Sequence, residues 1–191
     1  MNTTLNEIRT HHPCEESWGV LLRSLDKTKA DDEPLAYSRI MEICGLDDTL
    51  WAIARCHPRG PRICAEFALW CAEGVREHMS DPGATAVLEL TREYLDGGCT
   101  IVQLEAARAA SYAADCASGA ASYAANWAAR AASYAADCAA DRAAVCAATC
   151  AAARAADCAA DCAADRAAVW AAQKSKLIAL LEEEVSWSTP P

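Results

Sequence analysis

The sequence predicts an all-α protein: a small helical head followed by a long Ala-rich helix or helices, with Gly119 as the candidate break. Three observations carry this. Apolar residues in the first hundred positions recur at helical spacing between caps and stops, and no run alternates as a strand would. From Thr100 to about Leu181 there is no proline, and alanine, the best helix former, dominates. Within that stretch the sequence repeats itself in short helical periods. The expected division is a head over 1–99, a repetitive helical rod over 100–185 and a disordered tail over 186–191.

The head reads as about five helices. In "CEESWGVLLRSL", residues 14–25, Trp18, Leu21, Leu22 and Leu25 share one helical face. In "KADDEPLAYSRIMEICGLDD", Asp32 offers a cap, Pro34 suits a first turn and Gly45 a stop. Asp47 can cap a short helix carrying Leu50, Trp51, Ile53 and Ala54, which ends in the loop "HPRGP". Residues 62–79 place Ile63, Phe67, Ala68, Trp70, Cys71 and Val75 on a broad apolar face. "SDPGA" then supplies Asp81 as a cap and Pro82 at the first helical position. The next helix carries Val87, Leu88, Leu90 and Leu95 and stops at Gly97-Gly98. Thr100 and Gln103 form a capping-box pattern that restarts helix.

The rod has two periods. "SYAADCASGAA" and "SYAANWAARAA" begin at Ser111 and Ser122, eleven residues apart, which is close to three helical turns. From Ser133 to Ala172 the unit shortens to four residues ending in Ala-Ala, with Arg130, Arg142, Arg154 and Arg166 spaced by twelve. A four-residue unit rotates its stripe by about 40° per repeat on a 3.6-residue helix, so no single straight partner can follow it. Fully straight, the roughly eighty residues would reach about 120 Å. The closing "QKSKLIALLEEEVSW" regains large side chains. Its Leu177, Leu180, Leu181 and Val185 form a stripe expected to dock onto another surface.

Composition bounds the function. The net charge of −10, concentrated in the first hundred residues, argues against nucleic acid and against an anionic membrane face. No early stretch has signal-peptide order, and charged residues interrupt every long apolar run, so the chain reads as soluble and cytoplasmic. Six of the twelve cysteines sit in the rod: Cys116, Cys138, Cys146, Cys150, Cys158 and Cys162. Cysteines four apart on one helix are poorly placed for a mutual disulfide, and reduced thiols acting as small apolar fillers are expected. Cys146/Cys150 and Cys158/Cys162 could each lend two thiolates, but zinc needs four ligands and no two-residue cysteine spacing is present. His11, His12, His57 and His78 have no ligand spacing to one another. No phosphate loop, dinucleotide glycine fingerprint or serine nucleophile motif occurs. No catalytic residue, cofactor or metal is therefore expected, and the chain reads as a non-enzyme.

The candidate partner-binding residues lie in the rod and its exit. Alanine buries little area, so Tyr112, Tyr123, Trp127, Tyr134 and Trp170 must supply most of the anchoring. Asp137 and Asp141 stand four apart, as do Asp157, Asp161 and Asp165. Like charges at that spacing cost a helix about 0.2–0.5 kcal/mol per pair. They form either a solvated face or an acidic strip for a basic partner.

Residues 30–175 resemble immunity proteins of bacterial and phage polymorphic-toxin systems. The likeness rests on an "FA-x-x-CA" helix, here Phe67, Ala68, Cys71 and Ala72, and on an acidic-Pro turn. It extends to a helix closing in Tyr-Leu-x-Gly, here Tyr94, Leu95 and Gly97, and to an Ala-rich helical tail. "DPGATAV" stands where the family commonly has Arg-Pro-Arg. The resemblance implies a protein partner, a basic toxin among the candidates, which an acidic inhibitor would draw in electrostatically. The competing expectation is a structural protein whose Ala-rich rods self-associate into bundles or filaments.

Overall fold

A computed structural model describes residues 1–78, 82–104, 106–107 and 166–187. Over these the fold is helical, as the sequence predicts. The helices are α1 (Leu5–Thr10), α2 (Glu15–Ser24), α3 (Tyr37–Cys44), α4 (Leu46–Cys56), α5 (Gly60–Glu73), α6 (Pro82–Leu95) and, at the end of the chain, α7 (Arg166–Trp187). Residues 101–104 and 106–107 are also helical. Two two-residue strands, β1 (Asn2–Thr3) and β2 (Leu35–Ala36), pair antiparallel with Asn2 opposite Ala36 and Thr3 opposite Leu35.

Three local expectations are corrected. Helix α1, absent from the sequence reading, starts at Thr4, whose hydroxyl accepts from the Glu7 amide at 3.1 Å. It is six residues long and buries only Leu5 and Ile8, too short a stripe to show periodicity. Helix α3 begins at Tyr37 rather than after Asp32. The acidic run before it is held in other bonds: Asn6 Nδ2 donates to Asp32 Oδ1, and Lys27 Nζ sits 2.7 Å from Asp31 and 2.6 Å from Glu33. That leaves Leu35–Ala36 extended against the N-terminus. Helix α5 stops at Glu73, six residues earlier than expected, and a 3₁₀ turn at Arg76–His78 comes after it. Asp81, expected as the cap of α6, lies outside the described residues.

Helix α5 is the centre of the packing. Gly60, Ile63, Cys64, Ala65, Phe67, Ala68, Leu69, Cys71 and Ala72 are all buried, more faces than an amphipathic surface helix commits. It packs against α4, α6 and α7. Gly60 makes the approach to α4 possible: a Cβ there would stand 2.1 Å from the Ile53 carbonyl oxygen and 2.8 Å from Ala54 Cα. The first turn of α5 carries Pro61, which suits a position whose amide has no helical partner.

Helix α6 ends as the sequence predicts. Gly97 takes φ +79°, its amide donates to Tyr94 O, and the Gly98 amide donates back to Glu93 O at 2.8 Å, a Schellman closure. The capping box then restarts helix. The Thr100 amide donates to Gln103 Oε1 at 2.9 Å, and the Gln103 amide donates to Thr100 Oγ1 at 3.4 Å. The break does not detach the new helical turn from the head, because Leu104 is 1 % exposed and belongs to the same core as α5.

Helix α7 belongs to that core too. Gln173, Leu177, Leu180 and Leu181 are buried at helical spacing, with Trp170 half-buried beside them. The leucine stripe expected to dock does so on the head. Trp187 is still helical, so the helix runs two residues into the stretch expected as a tail. One straight helix from Thr100 to Leu181 would hold Leu104 and Leu177 about 110 Å apart; both lie in one core. The described residues on either side of the Ala-rich segment are therefore parts of one folded body.

Two substitutions check this packing. Leu177→Ala should cost about 2–5 kcal/mol of head stability in urea unfolding, because it opens a cavity in the shared core. An unchanged midpoint would mean α7 is not part of that core. Gly60→Ala should cost at least about 1–3 kcal/mol in the same assay, since backbone must move to admit the methyl group.

Candidate interaction surfaces

Two concave surfaces stand out on the head. The larger is a cleft of about 280 Å³ walled by α5, α6 and α7. Trp70, Leu69, Leu95 and Leu180 give it apolar walls, and Arg62, Glu66, Glu73, Arg92, Asp96 and Lys176 ring it. Its charges are mostly paired with one another. Arg62 Nε donates to Glu66 at 2.7 Å, and its Nη1 donates to the Leu95 carbonyl at 2.7 Å, so the guanidinium closes the end of α6. Arg92 of α6 pairs with Glu73 of α5. Three basic and three acidic side chains balance, and the cleft selects no sign of ligand.

The second surface is a shallow apolar groove where α1, α2, α3 and α4 meet. Ile8, Trp18, Leu21, Ile40, Trp51 and Ala52 line it, with Asp48 at one edge. The sequence pattern puts Trp18 and Trp51 in buried helical stripes; the structure leaves both only half-buried around the groove. The first turns of α2 and α4 carry Glu15, Glu16, Asp47 and Asp48, favourable places for acids at helix N-termini. Partial burial and the adjacent Asp48 hold the Asp47 carboxyl above the usual carboxylate range, although the residue as a whole reaches solvent.

A buried polar patch lies under the N-terminus. Tyr37 is 1 % exposed, and among the described residues its hydroxyl, which lies near Thr3, has no hydrogen-bond partner of ordinary geometry. The neighbouring Thr3 hydroxyl already donates to Glu7 Oε2 at 2.8 Å. Burial pushes the Tyr37 phenol well above its ordinary value, with Cys56 and Glu7 adding to the effect. The Tyr37 ring meets His57 edge-on, centroids 6.3 Å apart. Thr3, Tyr37 and Cys56 are all buried here.

Cys14, Cys44, Cys56, Cys64, Cys71 and Cys99 are free thiols; the rod cysteines, for which reduced thiols are expected, lie outside the described residues. Cys64 Sγ points to the Leu50 carbonyl at 3.8 Å. Burial pushes its thiol up to about 12 and that of Cys56 up to about 11, and raises Cys71 further. These thiols are core filler, with thiolates suppressed. Among the described residues no group of three metal-ligating side chains comes together, and no helix is long and apolar enough to cross a membrane.

Of the residues singled out for partner binding, Trp170 alone is described. Part of its ring is packed against the head core. Tyr112, Tyr123, Trp127, Tyr134, Asp137, Asp141, Asp157, Asp161 and Asp165 lie outside the described residues, as do Gly119 and the rod cysteines. The groove was missed because its two tryptophans fit a core stripe equally well. The signal available was the doublet of acids one turn before each: Glu15-Glu16 ahead of Trp18, and Asp47-Asp48 ahead of Trp51.

Protein-family models, curated proteins and solved structures were compared with the chain, and none matches.

The thiols give a pH-dependent outcome. A thiol whose folded pKa is raised above its unfolded value of about 9 favours the native state below that pH. Its contribution falls as pH climbs from about 9 toward the folded values near 11 and 12 of Cys56 and Cys64. Melting temperature in reducing buffer should therefore be level up to about pH 9 and decline above it. In the native protein at pH 8, an alkylating reagent and peptide mapping should label exposed Cys14 and spare Cys64 and Cys71. Equal labelling of all three would contradict the described core.

Proposed function

We propose that the protein is a non-enzymatic, protein-binding module, and that its partner is a protein it neutralises, as the resemblance to immunity proteins implies. The observation that supports this most is the docking of α7 on the head. Leu104 and Leu177 share one core, so the residues on both sides of the Ala-rich segment belong to a single folded body. The competing reading, rods that project from a head and associate side by side into filaments, requires a long free rod. The packing of Leu104 and Leu177 in one core supports the first reading over that one.

Charge agrees with the binding reading. With a net charge of −10, copies of the chain repel one another and attract basic partners. The free thiols of the described head and the balanced ion pairs of the α5–α6–α7 cleft serve packing, and the reading needs no cofactor.

Light scattering coupled to gel filtration, from low to high protein concentration, separates the two readings. A small species whose mass does not rise with concentration is the expected result. Steady growth into larger assemblies would replace the binding module with the structural protein. Small-angle scattering on the same samples should give a maximum dimension well short of the about 120 Å of a fully extended rod.

A further inference from the structure

We propose that the Trp18–Trp51 groove is a docking site for an amphipathic helix of another protein, apolar along one stripe and flanked by lysine or arginine. This rests on the protein-binding reading and adds where a partner sits and what chemistry it must carry.

The floor of the groove is apolar and built from four helices, with Leu21 and Ile40 buried beneath it. Its two large rings are only partly buried. Tryptophan in a partly open apolar pocket is among the side chains most often found anchoring protein interfaces. A groove bounded by helices offers no exposed strand edge, so helix-in-groove docking suits it better than strand addition.

The rim supplies the sign of the partner. Glu15 stands three residues before Trp18 and Asp48 three before Trp51, so each acid lies on the same helical side as its ring. Glu16 and Asp47 lie in the same first turns of α2 and α4. None of the four carboxylates has an ion-pair partner among the described residues; His11, His12 and Arg9 are the basic side chains that precede α2 in sequence. Several acids elsewhere on the head are already neutralised: Glu42, Glu66, Glu73 and Glu89 each hold an arginine. Asp48 at the groove and Glu15 one turn before Trp18 thus set an acidic edge beside the two partly buried tryptophans. A second copy of the chain is the poorer occupant, because its own charge of −10 opposes approach.

Titration calorimetry on the full chain tests this with synthetic helical peptides of about 18 residues, five turns. One carries a leucine stripe with lysine flanks, one the same stripe with glutamate flanks, and one lysine flanks with serine replacing leucine. The leucine–lysine peptide should bind and the other two should not. Glu15→Lys with Asp48→Lys should weaken that binding about tenfold or more. Glu93→Lys with Glu182→Lys, which changes net charge equally but at exposed positions of α6 and α7, should leave it within about twofold. Melting temperatures of both double variants establish that each is folded. Failure of the leucine–lysine peptide to bind, equal binding of the serine–lysine peptide, or equal loss in both double variants would overturn the groove. Any of these with a discrete species in light scattering removes the groove alone and leaves the binding-module reading standing. Concentration-dependent assembly removes that reading whichever peptide binds.

Discussion

Burial of α5 on nearly all sides is the constraint on which the rest of the structure depends. A helix that commits Ile63, Cys64, Phe67, Ala68, Leu69, Cys71 and Ala72 to the core needs cover from several directions. Helix α4 supplies one wall and α6 another. A further face is covered from outside the first hundred residues. The chain recruits Leu104 from just past the Schellman turn and Leu177, Leu180 and Leu181 from its far end. At about 25 cal/mol per Å² of apolar surface, a fully buried leucine contributes about 1.5–3 kcal/mol. Three such leucines from α7 are comparable to much of the net stability of a small domain. The C-terminal helix is thus a structural member of the head.

That requirement explains why small residues are placed where they are. Gly60 lets the start of α5 lie against the end of α4 at a distance that excludes even a methyl group. Ala65, Ala68, Cys64, Cys71 and Ala72 keep α5 thin enough for several neighbours to approach it. Cysteine here behaves as a residue between alanine and valine in bulk, and burial keeps its thiol protonated at neutral pH. The high cysteine content of the head is therefore consistent with packing rather than redox chemistry. Buried threonines are accommodated by local bonds. Thr49 and Thr91 each donate to the carbonyl four residues back, Gly45 at 2.7 Å and Val87 at 2.6 Å, and so leave no unmet hydroxyl donor at these two positions.

How much of this the sequence carries depends on whether a signal is local. The Gly97-Gly98 stop and the Thr100–Gln103 box are local hydrogen-bond chemistry, and they fold as read. The leucine stripe of α7 is a local pattern too, and its docking could be foreseen, though not the surface it docks on. The failures were non-local. Asp32 looks like a cap until Asn6, twenty-six residues away, takes its carboxylate, and Leu35–Ala36 looks like a first helical turn until the N-terminus pairs with it. Thr4 and Glu7 do have capping-box spacing, but a helix showing only Leu5 and Ile8 as apolar offers nothing periodic to confirm it. The two tryptophans of the groove fail for a further reason. Periodicity tells which side of a helix is apolar but not whether another helix arrives to cover it.

The head, rather than the repeat, is the better seat for specificity. A four-residue unit turns its stripe by about 40° each time, so identical side chains would face every direction along a helix and no one direction would be distinguished. Specific recognition needs an arrangement that does not repeat: an anchor, a floor and a charge at fixed relative positions. The described head has such an arrangement at Trp18, Trp51, Leu21, Ile40 and Asp48, held by four helices rather than one. Alanine-rich helix offers close approach but little area per residue. The packed head therefore holds side chains of different shape and charge at fixed positions, whereas the composition of the repeat offers little apolar area per residue. A basic amphipathic helix is the occupant whose stripe matches the floor and whose flanks match the rim at once. Neither an acidic helix nor an unpatterned basic one satisfies both.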